Sequence, residues 1–189
     1  MAFDATDLPG VVLVKPRVHG DERGFFLETY HERRYAEHGI PWRFVQDNHS
    51  RSVGPILRGL HAQRARPQGK LVRCVAGSIF DVAVDIRRGS PSFARWVGFE
   101  LSAANHHQLW IPPGFAHGFC VLGDAPAEVE YKCTDFYDAA DEIGVAWDDP
   151  DVGIVWPIAD PQLSAKDRAL LPLAEIADLL PHYSASPTA

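Results

Sequence analysis

Cysteine, surplus positive charge and long apolar runs are all scarce in this 189-residue sequence, and each absence excludes a class of protein. Its three cysteines, Cys74, Cys120 and Cys133, are widely spaced and form no CxxC pair. An odd, scattered set is typical of a reduced cytosolic protein rather than a disulfide scaffold or a zinc knuckle. The net charge of −7 argues against a general nucleic-acid binder, because a phosphate-binding surface is usually basic.

No stretch approaches the roughly 18 consecutive apolar residues of a membrane span. The first ten residues contain Asp4 and Asp7 and no apolar segment, so we expect no signal peptide. These observations predict a cytoplasmic protein without a membrane partner. They leave room for a small anionic ligand held by a few placed arginine and lysine side chains.

Many short β-forming runs alternate with Gly, Pro, Asn and Asp turns, which predicts a single all-β domain over residues 1–189. The predicted strands cover residues 11–14, 25–30, 42–48, 57–63, 70–75, 78–86, 95–101, 108–111, 118–122 and 128–134. Helical patterns are confined to residues 31–38 and 173–180, and a Ser/Pro/Thr-rich end follows Tyr183. The spacing is typical of a sandwich, a jelly roll or a barrel.

The first candidate site is the strand Arg58-Gly59-Leu60-His61-Ala62-Gln63. Since alternate side chains of a strand share a face, Arg58 and Leu60 should point one way, and His61 and Gln63 the other. A single histidine is more often a structural residue than a catalytic one, so His61 needs support from elsewhere in the chain.

The second candidate site is Pro112-Pro113-Gly114-Phe115-Ala116-His117, a rigid turn leading into a strand. Its PxGxxH spacing resembles the second motif of the cupin double-stranded β-helix, a jelly roll. In metal-binding cupins the first motif brings HxH, but here that position has Gln63, whose amide is a poor ligand for transition metals. The resemblance therefore implies a cupin-type jelly roll without a metal, and His117 can alternatively be a structural histidine.

Tyr131 and His61 form a possible acid and base. A tyrosine, with an ordinary pKa near ~10, can donate a proton, and a histidine, near ~6.5, can accept one. If they lay on opposite sides of a ligand, they would remove a proton from one face of a carbon and return one to the other. That is epimerisation beside a carbonyl, whose enolate would need a cation such as Lys70 or Arg58. A half-buried packing tyrosine is the alternative.

The segment Leu163-Ser164-Ala165-Lys166-Asp167 allows two interpretations. Ser164 or Asp167 can cap a helical turn. Alternatively, Asp167 folds back to hydrogen-bond His61 and orient it, as a carboxylate does in catalytic triads. The residues alone leave both open.

Seven stretches together resemble the dTDP-4-dehydrorhamnose 3,5-epimerase family, and the likeness runs from about residue 11 to residue 167 without large gaps. They are residues 20–26, 45–50, 57–63, 68–74, 80–87, 108–119 and 163–167. The resemblance implies an enzyme of dTDP-L-rhamnose synthesis that uses neither a cofactor nor a metal. It also implies a homodimer whose subunits exchange N-terminal strands.

Matched position by position, the resemblance implies that His61 is the base, Asp167 its partner, Tyr131 the acid and Lys70 the enolate stabiliser. The residues that match the family's substrate contacts are Arg23, Glu28, Gln46, Asp47, Asn48, Arg58, Lys70, His117, Glu142 and Lys166. Ala62 departs from the bulkier residue that is commoner there. Of the phosphate-binding candidates, Arg23 and Arg58 are the best, since guanidinium groups bind phosphate oxygens in pairs.

Three other functions compete with this prediction. An enzyme that inverts only C3 or only C5 would keep the same base, acid and lysine. A metal-dependent cupin isomerase or oxygenase is disfavoured by Gln63, and a non-catalytic sugar-nucleotide binder would not need both a base and an acid.

Overall fold

The computed structural model describes residues 1–184, and most of its regular secondary structure is antiparallel strand. The strands are β1 (Ala2–Ala5), β2 (Val12–Lys15), β3 (Val18–Asp21), β4 (Gly24–Leu27), β5 (Gln46–Ser52), β6 (Leu57–Gln63), β7 (Lys70–Ala76), β8 (Ser78–Asp85), β9 (Trp96–Ser102), β10 (Gln108–Ile111), β11 (Phe115–Val121), β12 (Ala127–Cys133) and β13 (Glu142–Gly144). The helices are α1 (Glu32–Glu37), α2 (Ala165–Arg168) and a 3₁₀ helix (Leu173–Leu179). The all-β prediction is confirmed, while most of the Ser/Pro/Thr-rich end, residues 185–189, lies outside the described residues.

Two sheets make up the cupin-type jelly roll. One has six strands in the order β1-β2-β10-β7-β12-β5, and the other has five in the order β13-β6-β11-β8-β9. The β3–β4 hairpin forms a separate two-stranded sheet. Consecutive strands β7 and β8 belong to different sheets, although only Gly77 separates them. Gly77 has φ +70°, and a Cβ there would lie 2.4 Å from the Pro126 carbonyl oxygen, so this corner requires glycine.

Strand β8, inside the five-stranded sheet, is buried on both faces, which explains why its apolar residues alternate imperfectly. Ile79 and Ala83 point into the core between the sheets. Val82 and Val84 point outward, where the 3₁₀ helix covers them with Leu173 and other apolar side chains. Both faces of such a strand are apolar, so its sequence resembles a continuous hydrophobic run.

The predicted elements match the structure best in their centres. The predicted strand at residues 42–48 begins only at Gln46, and the one at 118–122 begins earlier, at Phe115. Three short elements were not predicted, β1, β3 and β13, and α2 was predicted only as one of two alternatives, a capped helical turn. Such pieces of three or four residues are set by tertiary contacts more than by their own propensity. Within residues 1–184, no helix has the length and apolarity needed to cross a membrane.

Candidate active site

A cleft of about 520 Å³ lies between the two sheets and brings together seven of the predicted site residues, which are Arg58, His61, Lys70, His117, Tyr131, Lys166 and Asp167. His61 on β6 and His117 on β11 come from the five-stranded sheet, where they are direct cross-strand neighbours. Lys70 on β7 and Tyr131 on β12 come from the six-stranded sheet. The two sheets therefore present imidazole groups on one wall, and an amine and a phenol on the other.

A second cavity, of about 280 Å³, continues from the cleft, because His61, Lys70 and Tyr131 line both. Its other walls are mainly polar. They are formed by Gln46, Asn48, Ala62, Gln63, Gln68, Tyr137 and Glu142. The site is thus elongated, with the three shared residues at its middle.

Arg58 lies on the same side of β6 as His61, which corrects the prediction that the two point to opposite faces. Both line the cleft, and Arg58 Nε donates a hydrogen bond of 3.0 Å to Ser52 Oγ on the opposite sheet. Leu60, which was predicted to share a face with Arg58, packs instead among the apolar residues beneath the 3₁₀ helix.

A β-bulge causes this change of face. Gly59 and Leu60 of β6 together lie opposite the single residue Gly118 of β11. One extra residue reverses the alternation of side chains beyond it, and bulges often re-aim side chains next to active sites. Gly59 is required here, because its φ is +114° and a Cβ would lie 2.6 Å from the Gly118 Cα.

His61 and Asp167 form a hydrogen-bonded pair. His61 Nε2 lies 2.6 Å from Asp167 Oδ1, and the other carboxylate oxygen accepts a bond of 2.8 Å from Ser164 Oγ. Burial by itself raises the pKa of Asp167, but the hydrogen bonds from His61 and Ser164 outweigh it, so the pKa lies below its ordinary value. An ionised carboxylate only accepts hydrogen bonds, so Nε2 carries the proton and Nδ1 is the basic nitrogen.

The segment around Asp167 therefore combines the helix cap and the hydrogen bond to His61 that were predicted as alternatives. Ser164 is the N-cap of α2 and accepts a 3.0 Å hydrogen bond from the backbone N–H of Asp167. The same short helix holds the Asp167 carboxylate against His61. The cap thus fixes the position of the carboxylate.

Burial shifts the pKa values of both Lys70 and Tyr131. Burial lowers the pKa of Lys70 below that of an ordinary lysine, and its Nζ donates to the His61 carbonyl oxygen at 3.4 Å. Burial raises the pKa of Tyr131, which keeps the phenol protonated at neutral pH. The site therefore has a protonated phenol and an amine that a water-poor environment makes easier to neutralise.

Glu142 connects several side chains at the middle of the site. It accepts hydrogen bonds from the Tyr137 hydroxyl and from Lys166 Nζ, and its Oε1 lies 3.9 Å from His61 Nε2. Burial raises the pKa of Glu142, but the bonds from Lys166 and Tyr137 outweigh it, so the net shift is downward. Tyr137 was not predicted as a site residue; an aromatic residue in a turn beside the Tyr131 strand was the only signal.

A second histidine–carboxylate pair was also missed. His117 Nε2 lies 2.7 Å from Oδ1 of Asp81, a fully buried residue of β8. The residues on either side of Asp81 in β8, Phe80 and Val82, are apolar, and the sequence gives no sign that its carboxylate reaches a histidine 36 positions further along the chain.

Three predicted ligand contacts line neither the cleft nor the second cavity of their own chain. Arg23 pairs with Asp21 at the tip of the β3–β4 hairpin, and Glu28 pairs with Arg34. The Asp47 carboxylate accepts a hydrogen bond of 3.0 Å from Lys132 on the surface of the six-stranded sheet.

Gln63, at the position of a metal ligand in metal cupins, has a different task. Its amide nitrogen donates to the carbonyl oxygens of Arg66 and Phe136, and its oxygen accepts from the Asp138 N–H at 2.6 Å. It thereby holds the loop that carries Tyr137. Among residues 1–184, no three His, Cys, Asp or Glu side chains are grouped so that they could hold a metal ion.

The protein is a cupin-type jelly-roll sandwich whose cleft has an imidazole–carboxylate pair on one wall and a phenol on the other, groups that can accept and donate protons. The family model described as dTDP-4-dehydrorhamnose 3,5-epimerase matches residues 5–175. The chain belongs to this family of isomerases.

Individual relatives agree with this assignment. A dTDP-4-dehydrorhamnose 3,5-epimerase from Neisseria gonorrhoeae is 57% identical over 165 residues, 87% of this chain and 50% of that relative, so the chain spans half its length. The enzyme of the same name from Shigella flexneri is 54% identical over 86% of this chain and 90% of its own. A relative from Streptomyces niveus, 41% identical over 94% of this chain and 87% of its own, is named dTDP-4-dehydrorhamnose 3-epimerase.

A solved structure is also very similar. It is a dTDP-6-deoxy-D-glucose-3,5-epimerase from Legionella pneumophila in complex with dTDP-4-keto-L-rhamnose. It superposes with a TM-score of 0.94 at 50% identity and covers 97% of this chain and 99% of that chain.

Proposed function

We propose that this protein inverts C3 and C5 of dTDP-4-dehydro-6-deoxy-D-glucose to give dTDP-4-dehydro-L-rhamnose, a step of dTDP-L-rhamnose synthesis. The observation that carries the proposal is the placement of His61 and Tyr131 on opposite sheets of one cleft, which Lys70 also lines from the sheet of Tyr131. The names of the relatives supply the substrate. The chain acts as one domain, in the cytoplasm.

The proposed reaction begins at a carbon beside the C4 ketone, whose C–H bond the carbonyl acidifies. His61 Nδ1 removes the proton, while Asp167 holds Nε2–H and stabilises the imidazolium that forms. The electron pair moves onto the ketone oxygen, and Lys70 stabilises that enolate by charge and hydrogen bonding. Tyr131 then delivers a proton to the opposite face of the same carbon.

This cycle leaves His61 protonated and Tyr131 as a phenolate. Both must exchange protons with solvent before the second carbon reacts. Neither step oxidises or reduces the substrate, so the proposed chemistry needs no redox cofactor. Lys70 supplies the positive charge at the enolate oxygen that a metal ion would otherwise supply.

The two connected cavities suggest where the sugar and the nucleoside of the substrate bind. We assign the sugar to the larger cleft, where His61, Lys70 and Tyr131 stand beside Arg58, and the nucleoside to the smaller cavity with its amides and Tyr137. Arg58 supplies an always-charged guanidinium for the pyrophosphate in a chain of negative net charge. Gln46, Asn48, His117, Glu142 and Lys166 complete the proposed contacts.

The β3–β4 hairpin supports the proposal of a homodimer. Phe25 and Phe26 are 63% and 70% exposed, which is unusual for adjacent large apolar side chains. Because Arg23 and Glu28 flank them and do not reach the cleft of their own chain, we propose that this hairpin contacts the partner's site. Light scattering at micromolar concentration tests it, and a monomer would refute it.

A single-carbon epimerase is the second candidate, and the 3-epimerase name of the Streptomyces niveus relative favours it specifically. Incubation of the protein with dTDP-4-dehydro-6-deoxyglucose in deuterated water, followed by NMR, separates the two. Deuterium at both C3 and C5 supports the first proposal, and deuterium at one carbon supports the second. A substrate that keeps both protons would refute both.

A further inference from the structure

The buried carboxylate of Asp81 is costly for this fold, and among residues 1–184 its side chain has one hydrogen-bond partner, His117. Asp81 is fully buried on β8, opposite Phe99 of β9 and Phe119 of β11, within the apolar core between the sheets. Its Oδ1 meets His117, and its Oδ2 has no hydrogen-bond partner among the described residues. A buried carboxylate with half its acceptor capacity unused is destabilising, which indicates that the residue serves the site rather than the core.

The bond to Asp81 fixes how His117 faces the cleft. Asp81 accepts from Nε2, which leaves Nδ1 as the ring nitrogen that a ligand can reach. Burial lowers the pKa of His117 although Asp81 opposes the shift, and the cationic Lys70 nearby disfavours a second positive charge. A neutral imidazole held in this way offers a lone pair at Nδ1, which is a hydrogen-bond acceptor.

We propose that Asp81 is a positioning residue that locks His117 in its Nε2–H tautomer, so that Nδ1 accepts a hydrogen bond from a hydroxyl group of the bound sugar. The enolate oxygen cannot occupy this position, because it accepts hydrogen bonds itself and would be repelled by the Nδ1 lone pair. His117 therefore marks the hydroxyl-bearing side of the sugar, and the ketone oxygen is left to Lys70. The identity of the sugar rests on the proposed function, but the tautomer does not.

The direct test is spectroscopic and uses the full-length protein without ligand. Proton–nitrogen correlation spectra of histidine-labelled protein distinguish the two neutral tautomers, and the His117→Leu variant assigns the His117 signal. We expect the Nε2–H tautomer in the wild type and a mixture with Nδ1–H in Asp81→Asn, because an amide can donate as well as accept. His61, held by Asp167, is the internal control and should not change.

Kinetics test the role of the pair. Asp81→Asn should raise KM for the sugar nucleotide about tenfold, the worth of one hydrogen bond, with a smaller change in kcat and unchanged affinity for dTDP. Since Asp81 acts through His117, adding Asp81→Asn to His117→Leu should leave KM as it is in the single variant. His117→Leu should still exchange protons at both carbons.

Three results would overturn the inference: a wild-type His117 that carries its proton on Nδ1, additive effects in the double variant, or loss of exchange at one carbon in His117→Leu. A wild type that exchanges no substrate proton would instead refute the proposed function. The tautomer spectrum decides the role of Asp81 in that case too.

Discussion

Asp167 Oδ1 lies 2.6 Å from His61 Nε2, although 106 residues separate the two in the chain. His61 belongs to a sheet strand and Asp167 to a one-turn helix, so the pair exists only in the folded protein. A carboxylate at this distance fixes the ring and keeps the proton on Nε2, which leaves the lone pair on Nδ1.

The first prediction follows from this pair. His61→Ala should slow exchange of the C3 and C5 protons by about 10²–10⁴-fold, the usual contribution of a general base, while dTDP binding stays near the wild-type level. Asp167→Asn should also reduce exchange, by up to about 10⁴-fold as in a catalytic triad. His49→Ala, a change at an exposed histidine paired with Glu128, is the control. Wild-type exchange in His61→Ala would show that His61 is structural.

Tyr131→Phe should separate exchange from inversion. The variant retains the base but lacks the proton donor on the opposite sheet, so substrate protons should still wash out into deuterated water while formation of the inverted product falls. Both are measured in the same NMR sample. Equal loss of exchange and inversion would mean that Tyr131 is not the acid that delivers a proton to the opposite face of the carbon.

At high pH, the rate of proton exchange should fall because Lys70 loses its proton. Burial lowers the pKa of Lys70 from 10.5 and raises that of Tyr131 from 10.0, so burial moves the loss of the Lys70 charge toward neutral pH and the loss of the Tyr131 proton away from it. Lys70→Arg keeps a positive charge throughout this range, so the fall in the exchange rate should move to higher pH. The maximal exchange rate of this variant should be lower than that of the wild type. Tyr131→Phe, the control, should leave the fall in the exchange rate at the same pH. A shift in Tyr131→Phe alone would reverse the assignment.

Arg58→Ala should weaken dTDP binding by at least about tenfold, since a charged hydrogen bond contributes ~1.5–3 kcal/mol. Calorimetry with dTDP measures this without turnover. Arg51→Ala, a change at an exposed arginine of the neighbouring strand that pairs with Glu128, is the matched control. Equal affinity in wild type and Arg58→Ala would place the phosphates elsewhere.

Gly59→Ala should destabilise the protein more than Gly89→Ala. Both glycines have positive φ, +114° and +81°, which costs a non-glycine residue about 1–3 kcal/mol. Only at Gly59 would the new Cβ also collide with backbone, 2.7 Å from the His117 carbonyl oxygen, whereas at Gly89 it meets open space. Denaturant unfolding of the two variants measures the difference. Equal losses would mean that β6 and β11 can separate locally.

The sequence by itself determined the all-β class, the central strands and most residues of the cleft. Period-two alternation, turn residues and the PxGxxH motif are local signals, so they survive without knowledge of the partner strands. His61, Lys70, His117 and Tyr131 were found in this way and with the family resemblance.

Only the tertiary structure decided how those residues are aimed and supported. The direction of the Arg58 side chain depends on a β-bulge, where the register between β6 and β11 shifts by one residue. Asp81 reaches His117 only because β8 and β11 are neighbours in the sheet, and Ser164 both caps α2 and binds Asp167. Register, bulges and contacts between distant segments arise from packing the whole chain, and no local pattern of residues encodes them.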